Sequence, residues 1–163
     1  MTTYPEAMPQ WARTLDLQAH PEGGWYRRTY RSGLDIAHAA LPPGYPGDRP
    51  SATAILFLLL PGEESAWHRV RSDELWIHQR GGRLELCLGA TGGCEPGEVE
   101  QRLVLGGDLR GDESCSLGSF QALAPADVWQ CARPLDDEPV LVSCVVTPGF
   151  DFEDFTLWPG PGG

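Results

Sequence analysis

The richest stretch of functional side chains is Gly62-Glu-Glu-Ser-Ala-Trp67-His68-Arg-Val70-Arg-Ser-Asp73-Glu74-Leu-Trp76-Ile-His78-Gln-Arg-Gly81. An extended chain alternates its faces, so His68 and Val70 share one face of a first strand. Glu74, Trp76 and His78 share one face of the next. A hairpin between the two strands would bring His68 and Glu74 together in a mostly apolar interior. Burial and mutual charge shift the proton affinities of such neighbours. The pair therefore suits general acid–base chemistry, with His68 as base or acid and Glu74 as its orienting partner. Asp73 is expected at the turn with its side chain outward. His78 joins the pocket only if its strand runs without a bulge.

Further candidates lie elsewhere in the chain. Gln130 offers a polar contact to a ligand. With His68 and Glu74 it also supplies one nitrogen and two oxygens to a weakly held divalent metal. Glu22 and Tyr26, with Arg27 or Arg28, form a polar set suited to a polar ligand, arginine acting as an anion clamp. Trp76 and Trp129 can stack on a sugar or flat ring, or simply fill core. His20 can approach the mouth of the same site. The five cysteines contain no Cys-x-x-Cys pair, which argues against both a disulfide framework and a structural zinc site and for reduced thiols.

Short elements must position these groups. Twenty glycines and fifteen prolines punctuate brief apolar runs, a pattern of many strands joined by turns. Strands are expected at 24–31, 52–60, 66–70, 74–79, 83–88, 101–105, 119–123, 128–132 and 140–147. One short helix is expected over 5–16, where Ala7, Met8, Trp11, Ala12 and Leu15 recur at helical spacing. The Pro-rich segment 34–50 is expected to be a loop without packed structure, and the tail 159–163 to fray. Closure into a barrel would remove open strand edges. In Phe150-Asp-Phe152-Glu-Asp-Phe155, the phenylalanines at 152 and 155 are expected to cover the barrel end, with Asp151, Glu153 and Asp154 facing water.

The chain of 163 residues is of single-domain length, and its formal charge of −11 weighs against nucleic acid and anionic membranes as partners. No signal peptide or bilayer-length apolar run is evident, so a cytoplasmic protein is expected.

The stretch from Gly62 to Gly81 resembles the first motif of the cupin superfamily, with Gly62, His68, Glu74 and Gly81 in register. Val70 stands where the motif has a second histidine. Gly118, Pro125, Val128-Trp129-Gln130 and Ala132 resemble the second motif, with Gln130 at the place of the third histidine of metal cupins. Several segments resemble one branch of small cupins of unknown function, whose barrel is like that of sugar-nucleotide epimerases. These are His20-Pro-Glu22-Gly-Gly24-Trp25-Tyr26-Arg27, Ser65-Ala-Trp67-His68-Arg69, Ser72-Asp73-Glu74 and Pro148-Gly149-Phe150 with the acidic–aromatic run after it. That branch usually carries an acidic residue where Arg28 stands.

The resemblance implies an all-β, single antiparallel jelly-roll β-barrel with a short N-terminal helix, its core at about 20–157. It also implies a homodimer. The reaction expected first is acid–base isomerisation or epimerisation of a polar metabolite, with no required cofactor. A non-catalytic metabolite-binding cupin is the alternative, and a metal-dependent oxygenase or lyase the third.

Overall fold

The structure, a computed structural model, describes residues 4–107 and 120–160. Two antiparallel sheets face each other as a jelly roll. The strands of the larger sheet run in the order β1 (Gln18–Ala19), β2 (Trp25–Arg31), β5 (Thr53–Leu59), β12 (Val140–Thr147), β7 (Asp73–Gly81) and β10 (Gln121–Ala124). The smaller sheet has the order β13 (Phe155–Leu157), β6 (Ser65–Val70), β11 (Val128–Pro134), β8 (Leu84–Thr91) and β9 (Gln101–Leu105). A separate two-stranded ribbon pairs β3 (Asp35–Ile36) with β4 (Arg49–Pro50). The all-β expectation holds. Gly118, Cys115, Ser119 and the last three tail positions lie outside the described residues.

The apolar run of β5 reflects burial on both faces. Ile55, Phe57 and Leu59 point between the sheets with Trp76, Leu86, Leu105 and Val142. Leu56, Leu58 and Leu60 point outward, where Met8, Ala12 and Leu17 of the N-terminal segment cover them. Only Gln10–Arg13 of that segment is helical, α1. The expected helix is shorter because a residue ahead of a proline is pushed out of the α region, which stops helix before Pro9. At the other end Asp16 takes a left-handed φ of 52°.

Three further expectations are corrected. First, β6 and β7 do not pair as a hairpin: they belong to opposite sheets, so His68 and Glu74 face each other's sheet across the interior. Second, 34–50 is packed. Tyr45 is buried and its hydroxyl bonds Ser72 Oγ at 2.8 Å, while Arg49 Nε donates to Asp154 Oδ2 at 2.6 Å. Third, Asp154 is therefore buried rather than water-facing. A 3-10 turn over Phe152–Asp154 breaks the strand alternation on which its outward placement rested. Among the described residues no helix is long and apolar enough to cross a membrane.

Candidate active site

The site forms where the turn between β1 and β2 docks on the start of β6. Gly23 N–H donates to the His20 carbonyl at 3.0 Å, and the Glu22 carbonyl accepts from Ala66 N–H at 2.7 Å. Gly23 has φ +105°, and a side chain there would meet the Glu64 carbonyl. Glycine is thus required for this close approach. The consequence is that Glu22, a loop residue, projects its carboxyl into the barrel beside His68.

Hydrogen-bond partners assign the proton positions. The Ala66 carbonyl, 2.8 Å from His68 Nδ1, makes that nitrogen the N–H donor. His68 Nε2 is then a lone pair, and it stands 3.4 Å from Glu22 Oε2. On the other side His20 Nδ1 accepts from the Glu22 backbone N–H and also lies 3.4 Å from Glu22 Oε2. Ser65 Oγ donates to Glu22 Oε1 at 2.9 Å. Two imidazole lone pairs converging on one carboxyl oxygen leave room for a proton there, not for an anion.

The electrostatics agree. Burial pushes the Glu22 carboxyl up to about 8, opposed by the Ser65 hydrogen bond. Burial, then repulsion from His68, lowers His20 to about 4. His68 is also lowered by burial, against the attraction of Glu74. Glu74 is raised, chiefly by burial and further by Glu22. At neutral pH the cluster therefore favours neutral imidazoles and a protonated Glu22.

A narrow cavity opens over these groups. Of the candidate site residues singled out in the sequence, His20, Glu22, Tyr26, Arg28, His68 and Glu74 line it. Gln130 and Trp76 do not. They sit fully buried behind Glu74, where Trp76 Nε1 donates to Gln130 Oε1 at 2.9 Å and Gln130 Nε2 donates to Glu74 Oε2 at 2.6 Å. Gln130 thus positions Glu74 instead of meeting a ligand.

His78 shares the Glu74 face, but four residues of strand separate them by about 13 Å. Trp76 fills the interior between, and His78 Nε2 bonds the Gly82 carbonyl at 2.9 Å, beside a second recess at the far end. The bulge in the β7–β12 pairing falls after His78, so depth rather than face excludes it. Trp129 is on the opposite face of β11 from Gln130. Its indole donates to the Gly92 carbonyl, with the Arg69 guanidinium over the ring.

The expected metal set does not fit. The Gln130 oxygen already accepts from Trp76, and its amide group faces Glu74 as a donor. Among the described residues no three His, Cys, Asp or Glu side chains form a group that could hold a metal ion.

Sequence reasoning placed His20 only near the mouth and did not pair Glu22 with His68. The available signal was His20-Pro-Glu22-Gly-Gly, where paired glycines bring a titratable tripeptide close to another backbone. The mouth itself is aromatic, as anticipated for Phe152 and Phe155. Phe155 lies 5.6 Å from the His68 ring and Phe152 stacks at 6.1 Å on His20.

A two-sheet antiparallel barrel enclosing a histidine–carboxyl cavity defines a cupin. The chain belongs to the family described as Cupin superfamily (DUF985), which matches residues 9–158. A crystal structure of a Shewanella oneidensis protein is 34% identical, covering 90% of this chain and 81% of that one, with TM-score 0.69. A hypothetical protein from Leishmania major is 27% identical over 90% of this chain and 84% of its own, with TM-score 0.68. A Cupin 2 conserved barrel domain protein from Salinispora arenicola, at 15% identity, TM-score 0.51 and coverage of 89% and 90%, shares the fold. No curated protein matches the chain.

Proposed function

We propose that the barrel is an acid–base enzyme acting at a carbon next to a carbonyl, an isomerase or epimerase of a small carbonyl metabolite. The observation that carries the reading is the 3.4 Å approach of Glu22 Oε2 to the His68 Nε2 lone pair inside an open cavity. Glu22 takes the place beside His68 that the sequence assigned to Glu74. In the forward step Glu22 gives its proton to the substrate carbonyl oxygen while His68 Nε2 takes the proton from the adjacent carbon. The substrate becomes a neutral enol, and the pair becomes a carboxylate beside an imidazolium, each stabilising the other. Returning both protons restores the pair, and return after the enol has turned its other face to His68 inverts the carbon. Glu74, the second carboxyl of the cavity, holds the field that favours proton uptake by His68.

The test is proton exchange with solvent. Wild-type protein incubated in D2O with a pool of small carbonyl metabolites is expected to place deuterium at one carbon, followed by mass spectrometry. His68→Gln is expected to lower the exchange rate by at least about a hundredfold. A ligand bound unchanged, with His68→Gln altering its affinity alone, would replace this reading with a metabolite-binding cupin.

A further inference from the structure

We infer that the ligand of this cavity is a small monocarboxylate with a largely apolar body, its carboxylate held by Arg28 at the rim. Arg28 lines the cavity yet is exposed to solvent, which places it at the mouth. Among the described residues Arg31, Arg49, Arg69, Arg83, Arg102 and Arg133 each hold a carboxylate. Arg13, Arg27, Arg28 and Arg80 hold none among the described residues, and of these four Arg28 is the one that lines the cavity. A guanidinium without a partner beside a cavity is matched to a planar anion, which it can hold through two parallel hydrogen bonds.

Tyr26 supports the same reading. It is two residues back on the same face of β2, about 7 Å deeper along the strand, and its ring meets His20 at 4.6 Å. Its hydroxyl bonds no group of the described residues, so two donors on one strand face are left for the ligand. Between them and the far wall the lining is Ile55, Phe57, Val70, Val146 and Phe155. These side chains favour a hydrocarbon body. The charge count favours a monoanion. Glu22 and Glu74 stand inside, one arginine stands at the rim, and a doubly charged phosphate would leave one charge uncompensated next to buried carboxyls.

The orientation, reacting carbon inward, rests on the proposed role of His68, while the preference for a carboxylate does not. Calorimetry with hexanoate and 3-phenylpropionate, beside hexanamide, 3-phenylpropanamide and inorganic phosphate, separates the two. Each acid is expected to bind roughly tenfold tighter than its amide, and phosphate more weakly than either acid. Arg28→Gln is expected to bring acid and amide to parity, and Arg28→Lys to restore part of the difference. The proposal is overturned if neither acid binds at millimolar concentration, if acid and amide bind alike, or if the preference survives Arg28→Gln. Phosphate binding as tightly as the acids would also overturn it. His68→Gln is expected to keep the tenfold preference while losing deuterium exchange. Carboxylate preference in a wild-type protein that never exchanges would retain this inference and remove the acid–base reading.

Discussion

Two buried pairs of opposite formal charge, Arg49–Asp154 and Glu22–His68, are built differently. Arg49 and Asp154 meet through two hydrogen bonds, Nε at 2.6 Å and Nη2 at 3.1 Å. Arg71 and the Tyr45 ring complete the surroundings. Arginine cannot shed its proton, so this pair stays ionised and every strong acceptor is filled. Glu22 and His68 meet once, at 3.4 Å, and both partners can become neutral by moving a proton. A buried charge survives with a complete partner set; without one, the proton relocates. The first arrangement locks a loop to the barrel, and the second leaves an acid and a base ready beside a cavity.

The largest effect expected from this contrast is on stability. Asp154→Ala leaves Arg49 charged, buried and without its main partner, and is expected to cost about 3–5 kcal/mol. Urea unfolding at constant pH measures it. A loss under about 1 kcal/mol would mean that the pair is not what holds segment 34–50.

The neutral pair predicts a pH signature of smaller size. Glu22 titrates at about 8 in the fold against 4.5 as its ordinary value, so between those values the folded state binds the extra proton. Its contribution to stability is complete below pH 4.5 and is lost as pH rises through 8. His20, lowered from 6.5 to about 4, works the other way, since its contribution is lost as pH falls from 6.5 through 4. The two slopes oppose each other between pH 4.5 and 6.5. Above 6.5 the carboxyl slope is unopposed, and at roughly 1.4 kcal/mol per pH unit it amounts to about 2 kcal/mol by pH 8. Glu22→Gln, which mimics the protonated carboxyl, is expected to flatten most of that fall, with Glu74 supplying what remains. An unchanged slope in Glu22→Gln would show Glu22 to be ionised.

Much of the fold was legible because strand alternation survives in β2, β5, β6, β7, β11 and β12. Parity put His68 with Val70 on one face and Glu74 with Trp76 and His78 on another, whereas between Arg27 and Arg28 it is the structure that turns Arg28, with Tyr26, toward the cavity. Parity gives a face and not a depth, which is why His78, on the correct face, lies at the wrong end. Parity also separates the adjacent residues Trp129 and Gln130, which cannot both face one interior. The Glu22–His68 contact was hidden because Glu22 sits in a turn, where no periodicity applies. Asp154 was hidden likewise, in a 3-10 turn whose partner is more than a hundred residues away. Local pattern could not assign β6 and β7 to different sheets either, since a tight turn serves a hairpin and a sheet-to-sheet crossing equally.

The smallest effect sharpens the comparison inside the site. Trp76 Nε1–H fixes which way the Gln130 amide points, and so presents an N–H donor to Glu74 Oε2. A donor of that kind favours the ionised carboxyl and partly offsets the burial that raises Glu74. Trp76→Phe keeps an aromatic ring in the core but removes the indole donor. Gln130 is then free to turn its oxygen toward Glu74, where it accepts from the protonated acid. The variant is expected to lose about 1–2 kcal/mol for the unmade hydrogen bond, and the Glu74 titration is expected to move further upward. Carboxyl-selective NMR across the pH range reads that movement. If Glu74 titrates unchanged while stability drops, Trp76 contributes packing alone, and the orientation of Gln130 is set by Glu74 rather than for it.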